Sequence, residues 1–471
     1  MPVSPAYRPD PRLSRLGPEF ADPVAAADFP ETILRYRNDR AARTVGLDTL
    51  SDAEWIAHFG RFEPLPDNLV QPLSQRYHGH QFRVYNPDLG DGRGFTFAQL
   101  LEVGTGRLLD LGTKGSGQTP WSRQGDGRLT LKGGVREVLA TAMLEALGVP
   151  TSKSFSLIET GEALERGDEP SPTRSSVLVR LSHSHIRFGT FQRQAFLQAP
   201  ERIEQLVDYV VETYYPQLGN APDRAAALLE AVSGRAAVLT ASWMAAGFVH
   251  GVLNTDNMNI TGESFDYGPY RFLPQNNPNF VAAYFDQTGL YSFGRQPEAV
   301  FWNLQQLAGC LGMIREDHEP LVEALNGFGG AYRAALAAAM LKRLGLKSRD
   351  PETDAGFVGG AFRAIAEGGE ALRWEPFFFD WFCGDQDRAF ASPRGEIYRS
   401  DLFADFRAGV AAAGPDRPER LRADYFRRAE PEEMLIGEIE AIWTRIAEAD
   451  DWSAFQAKLA AVEVARNAYA L

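Results

Sequence analysis

The stretch HGVLNTDNMNI, residues 250–260, sets His250 seven places before Asn257 and puts Asp256 directly against that asparagine. FDYG follows at 265–268, with Asp266 between an aromatic residue and another aromatic followed by glycine. Asn257 and Asp266 offer oxygen donors, the ligand type that Mg²⁺ or Mn²⁺ prefers. Asp256 is the carboxylate beside them, suited to take a proton from an incoming hydroxyl. The same composition also describes an Asx-rich turn that bonds its own backbone. The surroundings decide between the two.

Immediately upstream, DRAAALLEAVSGRAAVLTASWMAAGFVHG (223–251) reads as a long apolar helix that delivers the segment at its end. Downstream, PEAVFWNLQQLAGCLGMI, AYRAALAAAMLKRLGL and MLIGEIEAIWTRIAEA continue the helical period. Further upstream the pattern changes to short apolar runs punctuated by glycine. FTFAQLLEV and RLLDLGTKG read as strands joined by a GTG hairpin turn. SFSLIET and SSVLVRLSHSHIRFGTF read as further strands, separated by the polar loop GEALERGDEPSPTR. One helix interrupts them, VREVLATAMLEALG, with Val135, Val138, Leu139, Met143 and Leu147 at helical spacing and Gly148 and Pro150 as a stop. These patterns predict an α+β protein in three parts. Residues 1–65 form an arm packed on the body, 66–195 a strand-rich lobe with one key helix, and 196–471 a mostly helical lobe.

The strand-rich part carries its own candidates. LGDGRGF supplies Gly90, Gly92 and Gly94, whose backbone N–H groups can turn toward a phosphate, although such a run is often only a turn. Arg93 adds a fixed positive charge. Lys114 ends a strand, and Glu137 lies 23 residues later on the helix. Paired, they would hold the lysine's charge at phosphates; apart, they are two solvated charges. Asp126 and Gly127 form an ordinary Asp-Gly turn signal. Arg180 and Arg187 suit a bidentate phosphate clamp or an exposed surface equally. His183 with His185, and His78 with His80, lack a third ligand, and pack or hydrogen-bond more readily than they bind zinc. In order, these elements match a protein kinase: glycine loop, strand lysine, helix glutamate, then H-R-D-L-x-x-x-N and D-F-G. Val252 stands where a kinase carries its catalytic aspartate. That leaves either a dead kinase or an enzyme doing different chemistry on a nucleotide.

At 471 residues, 44% apolar and 23% charged, the chain has enough apolar material for a large core. A formal charge of −14 argues against nonspecific binding to nucleic acid or anionic membranes. Cys310 and Cys383 are the two cysteines, too few for a disulfide framework or a cysteine-rich zinc site. No signal peptide or run of 18 uninterrupted apolar residues is present, and the expected location is the cytoplasm.

YHGHQF, LGDGRG, LGTKGSGQTPWSRQGDGR, VREVL, VRLSHSHIRFGTF and HGVLNTDNMNITGESFDYGPYRF together closely resemble the selenoprotein O family of YdiU-type proteins. The resemblance implies a protein-kinase-like fold that binds ATP in a flipped orientation. It also implies transfer of AMP to Ser, Thr or Tyr hydroxyls of other proteins, with release of pyrophosphate. By the same resemblance Gly90, Gly92, Arg93, Lys114, Asp126, Gly127, Arg180 and Arg187 surround the nucleotide, and Glu137 pairs with Lys114. Asn257 and Asp266 hold Mg²⁺ or Mn²⁺, Asp266 also facing the nucleotide, and Asp256 accepts the proton. The alternatives are UMP transfer from UTP with Mn²⁺, phosphotransfer of kinase type, and a nucleotide-binding scaffold. Many family members end in a selenocysteine or cysteine segment. This chain has no cysteine after Cys383, so redox control through such a tail is not expected.

Overall fold

The computed structural model describes residues 3–167 and 169–471; Met1, Pro2 and Asp168, which fall in the opening segment and the polar loop, lie outside it. The protein is mixed α and β, with its strands concentrated in the first part of the chain. These are β1 (Ala21–Pro23), β2 (Ile33–Arg37), β3 (Leu73–Gln75), β4 (Gly79–Gln81), β5 (Val84–Asn86), β6 (Thr96–Leu101), β7 (Leu108–Lys114), β8 (Leu129–Thr130), β9 (Lys153–Leu164) and β10 (Thr173–Ser182). The main sheet is antiparallel and runs β1-β3-β6-β7-β10-β9-β2, with β8 added beside β10. Strands β4 and β5 form a separate hairpin.

Alternation along β10 explains both faces of this sheet. Val177, Val179 and Leu181 enter a core with Phe95, Phe97, Leu109, Leu111 and Phe155. Leu178, between them, faces the opposite core, against the helix Leu131–Ala146. Arg180 shares the Leu178 face by the same period of two. The first 65 residues, read from sequence as an arm, supply β1 and β2 to opposite edges of the sheet. They also cover one face with the helix Asp52–Phe59, whose Trp55 stacks on Phe155 at 4.8 Å.

The helix Leu131–Ala146 begins where the Thr130 hydroxyl accepts the Gly133 N–H, a standard N-cap. It buries Val135, Val138, Leu139 and Met143, and with them Glu137. After residue 200 the chain is mainly helical. The helix Arg224–Ala245 is long and apolar enough to cross a membrane by length and composition, but 61% of its most apolar window is buried inside the fold. It leads into β11 (Phe248–Val249), which pairs with β12 (Arg271–Phe272). That short ladder clasps residues 250–270 into one loop, so Asp256 and Asp266 are tethered at a shared base.

One element differs from the sequence reading. The apolar alternation of SSVLVRLSHSHIRFGTF predicts a strand throughout, but β10 stops at Ser182 and Phe188–Phe196 is a helix. The Thr190 hydroxyl accepts the Arg187 N–H at the start of that helix, and its buried residues include Phe188 and Phe191. His183 and His185 therefore share no strand face. His183 Nδ1 lies 2.6 Å from Glu263 Oε1, and the His185 N–H donates to Asp110 Oδ2 at 2.9 Å.

Candidate active site

Two neighbouring strands place the cations of one wall. Antiparallel register sets Leu178 opposite Lys114 and Arg180 opposite Gly112, so Lys114 and Arg180 rise from the same face of β7 and β10. Lys114 is buried and its Nζ donates both to Glu137 Oε1 and to Asp266 Oδ1, the latter at 2.6 Å. The strand–helix pair expected from spacing is formed. Arg180 Nη1 lies 3.6 Å from the same Asp266 oxygen. Asp266 takes a left-handed backbone conformation (φ 66°), which Asp tolerates better than most residues. Burial works to raise its pKa, but Lys114, Arg180, Arg93 and Arg187 together hold it well below the usual carboxylate value.

The opposite wall is the turn Thr255–Asn257. It is held by a loop that sequence spacing did not connect to it, YHGHQF. The His80 N–H donates to Thr255 Oγ1 at 2.7 Å, and Thr255 Oγ1 donates to Gln192 Oε1 at 2.5 Å. Gln192 Nε2 lies 2.7 Å from His80 Nδ1. The Phe82 N–H and the Tyr291 hydroxyl both donate to Asn254 Oδ1, at 3.1 and 2.8 Å. Gly79 permits the approach: a Cβ there would sit 2.8 Å from Asp256 Oδ1. His250 ties the two walls together. Burial lowers its pKa, and its Nε2 donates to the carbonyl of Phe265, next to Asp266, at 3.0 Å.

Asp256 is 8% exposed. Burial lifts its pKa to about 6; Arg187 opposes the rise and the charge of Asp266 adds to it. Its Oδ1 finds no hydrogen-bond partner among the described residues, nor do Arg180 Nε and Nη1 or Arg187 Nε. Arg187 is otherwise fixed, donating to the Asp256 carbonyl (2.9 Å) and to Asp91 Oδ1 (3.0 Å), with its guanidinium 4.3 Å from the Tyr77 ring centroid. These unpartnered buried nitrogens and the unpartnered oxygen are compatible with an anionic ligand and a hydroxyl donor.

These walls enclose a cavity of about 680 Å³. Of the residues singled out in the sequence, Gly90, Gly92, Arg93, Asp126, Gly127, Arg187, Asp256 and Asp266 line it. Lys114 and Arg180 stand behind Asp266, and Glu137 behind Lys114. Asn257 does not line the cavity; its amide nitrogen donates to the Val252 carbonyl at 3.0 Å, leaving the oxygen end for another partner. The glycines of the 89–95 loop have a packing role: a Cβ at Gly90 would meet the Trp121 ring at 2.3 Å. The loop is thereby pressed against the 121–127 turn, and together they roof the cavity. Asp126 is not free, because Arg166 clasps it through both terminal guanidinium nitrogens at 2.8 and 3.1 Å.

No group of three or more His, Cys, Asp or Glu side chains that would cage a metal occurs among the described residues. Asp266 and Asn257 each offer an oxygen donor, the ligand type that Mg²⁺ takes together with substrate phosphates. The chemistry of these donors fits a cation that arrives with a nucleotide.

Comparison with known proteins bears on the same residues. A family model described as protein adenylyltransferase SelO matches residues 6–463. The chain belongs to this family. It is similar to proteins named protein nucleotidyltransferase YdiU. The one from Synechocystis sp. is 46% identical over 475 residues, covering 95% of this chain and 96% of the relative. That from Gloeobacter violaceus is 45% identical over 467 residues, covering 95% and 93%. That from Synechococcus elongatus is 52% identical over 344 residues, covering 72% and 68%. Family membership covers the whole cavity, including lining residues that sequence reasoning passed over: Tyr77, Gln81, Trp121, Arg123, Glu165 and Arg166. Asp91, which holds Arg187, sits between Gly90 and Gly92, and no spacing signal marks it.

Proposed function

We propose that this member of the family transfers AMP from ATP to Ser, Thr or Tyr hydroxyls of proteins, on a kinase-like frame of strand-rich and helical lobes. The observation that carries the reading is Asp256: a buried carboxylate with an unpartnered oxygen, raised to about 6, in the wall of a cavity rich in arginine. A base with that pKa is ionised at neutral pH yet basic enough to take a hydroxyl proton. The acceptor oxygen attacks the α-phosphorus while its proton passes to Asp256. The bond from phosphorus to the bridging oxygen breaks, and pyrophosphate leaves. Lys114, Arg93, Arg180 and Arg187 supply fixed positive charge for that leaving group. Asp266 and Asn257 would hold a divalent cation, which would neutralise charge on the phosphate oxygens.

Val252, at the position of a kinase's base, supports this reading over phosphotransfer. The carboxylate has moved four residues along, onto the turn that the YHGHQF loop braces. Parallel incubations with ATP labelled at the α- or γ-phosphate, with Mg²⁺ or Mn²⁺, test it. Label should enter protein from the α position. Label from the γ position alone would replace nucleotidyl transfer with kinase chemistry.

A further inference from the structure

The loop that follows β12 presents aromatic side chains to solvent beside the cavity. Tyr284 is 83% exposed and Phe285 47%, and their rings meet edge to face at 5.1 Å. They do not hang from a loose segment. The Phe293 N–H donates to the Phe280 carbonyl, and the Gly294 N–H to the Pro278 carbonyl, closing the loop at its base. Inside it, Asp286 accepts the backbone N–H groups of Leu290 and Tyr291 at 2.9 and 2.8 Å. Tyr291 in turn reaches Asn254, next to the catalytic turn. Phe285 packs on Phe82 at 5.8 Å, at the tip of the β4–β5 hairpin, where Val84 is 70% exposed. Gln81, adjacent to Phe82, lines the cavity itself, and Gly79 abuts Asp256.

A built loop that holds large apolar groups in water marks a binding surface. We infer that Tyr284, Phe285 and the tip of the β4–β5 hairpin form the docking rim for the acceptor: a polypeptide segment with an apolar or aromatic side chain close to its reactive hydroxyl. The inference rests on the proposed transfer to proteins. Its support is continuity. An acceptor hydroxyl must reach Asp256, and the hairpin that abuts Asp256 is the one whose tip joins this rim. Elsewhere the cavity lining includes Asp126, Glu165 and Arg166, which are charged. Tyrosine and phenylalanine on a pre-ordered loop also lose little freedom on binding, which suits recognition of a flexible segment.

The test uses synthetic peptides carrying one Ser, Thr or Tyr, flanked either by Phe and Leu or by Ala and Gly. Transfer of α- and γ-labelled phosphate is followed with the full-length protein and its Tyr284→Ser/Phe285→Ser variant, alongside direct ATP-binding measurements. The wild type should favour the apolar-flanked peptides by roughly tenfold or more in kcat/KM, the scale of one buried aromatic contact. The variant should lose that preference while binding ATP as before. α-Label transfer without flank preference, or a preference that survives in the variant, overturns the rim and leaves the transfer reading standing. Failure of the α-label to reach any acceptor, with ATP still bound, overturns the transfer reading and the rim with it.

Discussion

The two walls of the cavity hold their carboxylates in opposite ways. On the sheet side, Asp266 accepts from Lys114 and faces Arg180, and these cations drive its pKa far down. On the turn side, ten residues earlier in the chain, Asp256 is braced through the backbone and neighbouring side chains while its own Oδ1 is left without a partner, and burial drives its pKa up. The first is a permanent anion suited to a cation; the second is poised to exchange a proton. In the proposed transfer, this contrast is what gives the two acidic groups different roles.

Changes that erase this contrast should have the largest effects. Asp266→Ala should lower transfer by about a thousandfold or more, the scale of removing a group that fixes transition-state charge, and added Mg²⁺ or Mn²⁺ should not restore it. Asp256→Asn should cost about 10²- to 10⁴-fold in kcat while ATP binding persists. The same change should stabilise the fold. Because the folded pKa of about 6 exceeds the ordinary 3.8, ionising Asp256 costs the native state on the order of 3 kcal/mol above pH 6. That gain should appear as a higher Tm at pH 7, shrink as pH falls from about 6 toward 3.8, and vanish below. Lys114→Met should raise KM for ATP and destabilise by about 3–5 kcal/mol, since Glu137 stays buried with its partner gone; denaturant melts would show it. The smallest expected effect comes from Gly79→Ala, whose added Cβ would crowd Asp256 Oδ1. It should reduce kcat by about tenfold with little change in KM for ATP, a loss of about 1.4 kcal/mol in the transition state.

Local chemistry made much of this site legible before folding. Lys114 and Glu137 could be paired because strand-to-helix order is readable, and Asp256 and Asp266 stand out because one lies directly against Asn257 and the other sits in FDYG a few residues on. What escaped depends on distant contacts. The brace from His80 and Gln192 to Thr255 joins positions 175 and 63 residues away, and the hold of Asp91 on Arg187 spans 96. No period or propensity reports such pairs. The strand assigned to 183–191 failed for a related reason. Apolar alternation continues past Ser182, but Asp110 and Glu263 capture the two histidines and leave Phe188 to start a helix. Gly90 and Gly92 of the glycine loop line the cavity, while the loop's tight packing on Trp121 needed the fold to be seen.

The claim that Asp256 acts as the proton acceptor meets its most direct test in the pH dependence of α-label transfer at low ATP. The logarithm of kcat/KM should rise with unit slope through acid pH, bend near 6 and level above it, and Asp256→Asn should abolish that limb. A wild-type profile flat from pH 5 to 8, or an acid limb that persists in Asp256→Asn, would contradict the account.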